Sequence, residues 1–124
     1  RSLCGTCRES HSATAGKITE LRAAYGEDAF SRRFEGVPDT ALRLWRARGC
    51  SACSGTGYKG RVALHELLVA TEPIKRAIQT RREPEHLRHL GVADGMTTLL
   101  QDGIEKTLAG LTDLRQVLAV TRPR

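Results

Sequence analysis

The sequence predicts an α+β fold: a cysteine-knuckle subdomain carrying a small antiparallel β element, followed by a C-terminal helical bundle. Three observations carry that prediction. All four cysteines fall in two C-x2-C pairs, Cys4/Cys7 and Cys50/Cys53. A short segment before the second pair alternates apolar and polar residues, as a strand does. From Thr71 onward, apolar residues recur three and four positions apart, as on one face of a helix.

In chain order, "KITELRAAYG" (17–26) places Ile18, Leu21 and Tyr25 on one helical face and stops at Gly26. Phe30 and Phe34, four apart, extend that packing, and "EGVPDT" (35–40) is a loop. "ALRLWRARG" (41–49) alternates Leu42 and Leu44 with Arg43 and Trp45, which reads as a strand. After the second knuckle, "GRVALHELLVA" (60–70) is a near-continuous apolar run. It is expected to be a strand buried on both faces, with its sheet partners outside this sequence. Thr71 is placed to cap "EPIKRAIQTR", with Pro73 in its first turn. Glu83-Pro84 opens a helix with Leu87 and Leu90 inward. Thr97 should cap a helix striped by Leu99, Leu100, Ile104 and Leu108 and ended by Gly110. Thr112 should cap a last helix with Leu114, Val117 and Leu118 inward. The expected division is a tetracysteine subdomain over 1–59, then a returning strand and helical subdomain over 60–124, the helices holding without the first part.

At 124 residues, with 40% hydrophobic and 27% charged residues, the chain has room for one domain or two small ones sharing a surface. It contains no apolar run of membrane-spanning length and no signal peptide, so a soluble, intracellular protein is expected. It opens at Arg1 rather than at a methionine, which suggests a piece of something longer. The formal net charge is +6, but basic residues are spread along the chain and interleaved with acidic ones. They read as solvated faces rather than a nucleic-acid patch. An anionic lipid or an acidic protein stays open as a partner. With only 4% aromatic residues, stacking platforms for single strands are not expected either.

The cysteines carry the chemistry. Two residues between thiolates let a tight turn aim both sulfurs at one ion, and two such knuckles complete a tetrahedral sulfur shell with no open position. Cys4, Cys7, Cys50 and Cys53 are therefore expected to hold one structural Zn2+. Paired disulfides or a redox-active C-x2-C are the alternatives, but neither a secreted context nor a thioredoxin-like strand is indicated. His11, four residues after Cys7, is a substitute ligand that four cysteines make unnecessary. The second knuckle, "CSACSGTG" (50–57), also matches the Cys-x-x-Cys-x-Gly-x-Gly repeat of DnaJ-type co-chaperones. Those proteins need four such repeats, and the first knuckle here reads "CGTCRESHS", without the glycines. The co-chaperone reading therefore fails.

"LCGTC", "LWRARGCSACSGTGYKGRVALHELL" and "GMTTLLQDGIEKTLAGLTDLRQVLAVT", in that order, resemble the C-terminal part of the type II secretion (GspE-like) and type IV pilus extension (PilB-like) ATPases. The resemblance implies a fragment of a RecA-like ATPase, with a tetracysteine metal-binding subdomain and a return to the ATPase domain through residues 60–69. It implies a homo-hexameric parent on the cytoplasmic face of the inner membrane, working on membrane platform proteins that assemble pseudopilin or pilin. ATP and Mg2+ would belong to the parent, because no Gly-x4-Gly-Lys-Ser/Thr loop and no acidic Walker B strand occurs here. The fragment alone is thus expected to be inactive, with no catalytic residue. Arg61 reads as a surface arginine at a strand end that could reach a subunit interface. His65 falls at a variable position of the family strand, and Asp102 and Glu105 read as ordinary solvated charges. Secretion is the first expectation and pilus assembly the alternative; from another class, a zinc-stabilised nucleic-acid-binding module is the competitor.

Overall fold

The computed structural model describes residues 1–122 of the chain. Two strands, β1 (Glu9–Ser12) and β2 (Arg43–Arg46), pair antiparallel with Glu9 opposite Arg46 and Ser12 opposite Arg43. The insert between them holds helices α1 (Ala15–Tyr25) and α2 (Glu27–Arg33). Four helices follow the second knuckle: α3 (Glu72–Gln79), α4 (Pro84–Ala93), α5 (Leu99–Leu108) and α6 (Leu114–Thr121).

Strand β2 forms where alternation placed it, with Leu42 and Leu44 each 6% exposed. Its partner, "ESHS", has no apolar alternation to reveal it. It is secured by polar cross-strand contacts instead. Arg43 donates to the hydroxyls of Ser10 and Ser12, both at 3.1 Å, and Glu9 lies 3.3 Å from Arg46.

The insert builds its core from Ile18, Leu21 and Tyr25 of α1, Phe30 of α2, and Leu42 and Leu44. Tyr25 meets Phe30 edge-on, with ring centroids 5.7 Å apart. One wall of this core comes from the far end of the chain. Ile104 of α5 is fully buried in it, with Leu100, Leu108 and Leu114 packed against its edge. The hydrophobic cluster therefore draws on residues from both sides of position 60, with α5 packed directly on the insert. Ile104→Ala should cost about 2–5 kcal/mol. Trp45 lies on β2, so its fluorescence should report this loss as a lower urea midpoint even though the substitution is on α5.

Residues 60–70 form no strand, contrary to expectation. Leu67 and Val69 are 75% and 62% exposed. Among the described residues no strand lies beside this segment to pair its backbone. It is fastened to α5 by polar contacts. The His65 amide donates to Asp102 Oδ2 at 2.8 Å, Lys106 Nζ donates to the Ala63 carbonyl at 2.5 Å, and Glu66 Oε2 accepts from the Leu99 amide at 2.8 Å. An apolar run shows that a segment needs cover, not where the cover is.

Asp102 and Glu105 are accordingly more than solvated charges. Asp102 also pairs with Lys106 at 2.7 Å, and Glu105 pairs with Arg33 of α2 at 2.5 Å. Burial alone would raise the Asp102 carboxyl, but the Lys106 ammonium and the His65 N–H outweigh it and hold it below the usual 3.8. A carboxyl depressed in the folded state stabilises above its unfolded pKa, and that contribution is lost as pH falls through the folded value. Asp102→Asn should therefore speed exchange of the His65 amide several-fold at neutral pH. Below pH 3.8 the difference should fade; an effect independent of pH would rule out the carboxylate as the tether.

Two helix caps shift by one residue. Thr98, not Thr97, caps α5: its hydroxyl accepts from the Gln101 amide at 3.2 Å, and Gln101 Oε1 accepts from the Thr98 amide at 3.0 Å. Asp113, not Thr112, caps α6, accepting from the Gln116 amide at 2.9 Å. Thr71 precedes α3 as expected, but its hydroxyl donates to Asp94 at 3.2 Å rather than capping the helix. Helices α3 and α4 pack on each other, with Ile74 and Ala77 buried and Leu87 and Leu90 half-buried.

Candidate metal centre

The first knuckle, Cys4 to Cys7, begins directly after Leu3, which forms an antiparallel bridge with Tyr58 just beyond the second. Strand β2 delivers the chain to Gly49 and Cys50, and a 3-10 turn at Ser51–Cys53 returns it, with Ser54 left-handed at φ 56°. The two knuckles thus face each other across a short pairing of their flanks.

The four sulfurs lie within 4.8 Å of one another. Cys4 and Cys50 are 3.9 Å apart, Cys7 and Cys53 3.9 Å, and Cys50 and Cys53 3.8 Å. A tetrahedral ion with metal–sulfur bonds of about 2.3 Å has sulfur–sulfur edges of about 3.8 Å. All four cysteines are free, at separations far beyond the roughly 2.05 Å of a disulfide. Backbone amides point at the sulfurs: Gly49 to Cys7 at 3.3 Å, Cys50 to Cys53 at 3.2 Å and Gly57 to Cys53 at 3.1 Å.

Gly57 explains the last glycine of the second knuckle. Its amide donates to Cys53, and its carbonyl accepts from the Cys4 amide at 2.9 Å, joining the knuckles. It has φ +82°, and a Cβ there would lie 2.5 Å from the Ala47 Cβ. Only a residue without a side chain fits both demands.

The sulfurs differ in electrostatic setting. The Thr6 amide leads the groups that lower the Cys4 thiol. Burial pushes Cys53 up, but the Cys50 and Gly57 amides and neighbouring sulfurs bring it down to about 6. Cys7 is raised to about 11, first by burial and then by the sulfurs beside it. Four adjacent thiols cannot all ionise unaided; a divalent cation reverses that balance, since a coordinating thiol is deprotonated outright. The residues present fit a soft-donor ion in a closed four-sulfur shell.

His11 lies outside the cluster, on β1 opposite Leu44, with its Nδ1 buried and unpartnered. Arg61 and His65 are exposed on the 60–70 segment. The sequence reading did not single out Arg8 and Tyr58, which follow the two knuckles and reach the turn between α5 and α6. Arg8 donates to the Gly110 carbonyl, and the Tyr58 hydroxyl donates to Asp113.

A family model described as type II/IV secretion system protein matches residues 1–119, a span that includes all four cysteines and both faces of the shared core. The chain belongs to this family. As a type II/IV secretion system protein, it is 36% identical over 122 residues to the type II secretion system protein E of Aeromonas hydrophila, covering 98% of this chain and 22% of that protein. Its identity to the Klebsiella pneumoniae protein of the same name is 38% over 122 residues, again 98% of this chain and 21% of the relative. To the type IV pilus assembly ATPase PilB of Thermus thermophilus it is 46% identical over 79 residues, 64% of this chain and 9% of that one. The chain thus spans 22% or less of the length of these relatives.

Proposed function

We propose that this chain is the zinc-stapled, non-catalytic segment of the ATPase that powers type II protein secretion. Cys4, Cys7, Cys50 and Cys53 would hold the zinc, which takes no part in a reaction there and ties the two knuckles into one body. The observation that carries this reading is the four-sulfur cluster, closed by backbone amides, within a chain matching type II secretion system proteins E over 98% of its length. In this reading, residues 1–59 form the metal subdomain, and 60–124 lead back to the RecA-like core and end in helices. ATP and Mg2+ bind elsewhere in the parent, since these 124 residues contain no phosphate-binding loop. The parent works as a homo-hexamer on the cytoplasmic side of the inner membrane and passes motion to the platform proteins there. No described helix is long and apolar enough to cross a membrane, which fits attachment through partners.

A parent protein with all four cysteines changed to serine tests this. It should fall far more in transport than in nucleotide binding. Undiminished transport by a folded, metal-free parent would overturn the proposal. Pilus assembly is the second reading, favoured by the 46% identity to PilB. Rescue of piliation rather than secretion in a strain lacking the native ATPase would select it.

A further inference from the structure

Both knuckles reach toward one place, the turn joining α5 to α6. Arg8, immediately after the first knuckle, stacks on Trp45 at 4.3 Å and donates to the Gly110 carbonyl just beyond α5. Leu3, immediately before Cys4, donates its amide to the Leu111 carbonyl at 2.9 Å. Thr112 is 2% exposed, and its hydroxyl donates to the Arg1 carbonyl at 2.8 Å. Tyr58, next to Gly57, donates to Asp113 Oδ2, while Asp113 Oδ1 accepts from the Gln116 amide and caps α6. One carboxylate therefore ties the second knuckle to the first turn of a helix.

We propose that the α5–α6 turn senses the metal centre, with Arg8 and Tyr58 as the positioning residues, one from each knuckle. This rests on the reading that the four cysteines hold a metal. A metal fixes the distance between the knuckles, and so between the Arg8 guanidinium at the carbonyl end of α5 and the Tyr58 hydroxyl at the amide end of α6. A cation at a helix C-terminus and a carboxylate at a helix N-terminus both favour helix, so these two contacts stabilise the facing ends. When the knuckles part, the two anchors part too, and α6 loses the group that orients its cap. The change then appears in the first turn of α6, where Asp113 accepts from the Gln116 amide. Because such coupling is reciprocal, loosening the turn must also weaken the hold on the metal.

Amide exchange and zinc release on the full chain test this. Stripping zinc with a chelator should lower protection at residues 110–117 about tenfold or more. Tyr58→Phe and Arg8→Met, each in the zinc-loaded chain, should speed exchange at Gln116 and Val117 several-fold and also speed zinc loss to a competing chelator. Arg32→Met, which removes an exposed arginine of α2 that takes no part in these contacts, should do neither. If both variants keep wild-type exchange and zinc release, the turn does not sense the centre. If the chain takes up no zinc, the metal reading fails and this proposal with it.

Discussion

Cys50→Ser should abolish metal binding and, with it, amide protection in β1, β2, α1, α2, α5 and α6, while α3 and α4 change least. Cys50 is central to the cluster, its sulfur lying within 3.9 Å of those of both Cys4 and Cys53. Structural zinc sites contribute about 10–16 kcal/mol of apparent binding energy. That is comparable to the roughly 5–15 kcal/mol that holds a whole domain folded. The loss should travel beyond the knuckles because the insert's core is closed by Ile104, and Arg33 is paired with Glu105. The α3–α4 pair is spared because it packs around its own Ile74 and Ala77. Hydrogen exchange read by mass spectrometry resolves these segments. Loss confined to residues 1–59 would mean that α5 folds independently of the insert after all.

Gly57→Ala should destabilise far more than Gly55→Ala, although both glycines have nearly the same backbone conformation, φ +82° and +78°. Placing an L-residue in that left-handed region costs about 1–2 kcal/mol at either position. At Gly55 nothing lies within 4 Å of the added methyl, so the cost ends there. At Gly57 the methyl meets Ala47 Cβ at 2.5 Å, and forcing a fit adds about 1–3 kcal/mol. The shift also moves the amide bonded to Cys53 and the carbonyl bonded to Cys4, so zinc affinity should fall with stability. Urea midpoints and a competitive zinc titration on both variants measure the difference. Equal losses would show that the approach of Gly57 to Ala47 is irrelevant to the centre.

The site was more legible in the sequence than the fold around it. Cysteine pairs two residues apart state their geometry locally, because a short turn decides where both sulfurs point. The same holds for α1, whose Ile18, Leu21 and Tyr25 are buried as their spacing requires and which stops at Gly26. Strand β1 was not legible because Glu9 to Ser12 are polar, and their pairing depends on Arg43 and Arg46 more than thirty residues away. The cap at Thr98 sits beside a threonine of equal capping ability, whereas at α6 the stronger capping type, Asp113, stands next to Thr112. Thr112 is drawn instead to the Arg1 carbonyl. The apolar run at 60–70 misled most, since hydrophobicity along a segment carries no information about which chain covers it. Ile104 is the converse: its stripe was visible, but nothing in the spacing says that it completes a core begun by Leu21 and Phe30.

The proposed role needs one ion held by four sulfurs, so the most direct measurement is metal content together with thiol state. Elemental analysis of chain purified without added metal should find about one zinc per molecule. Mass spectrometry of the same sample should find Cys4, Cys7, Cys50 and Cys53 all reduced. No metal, with the cysteines joined as two disulfides, would contradict the account at its base.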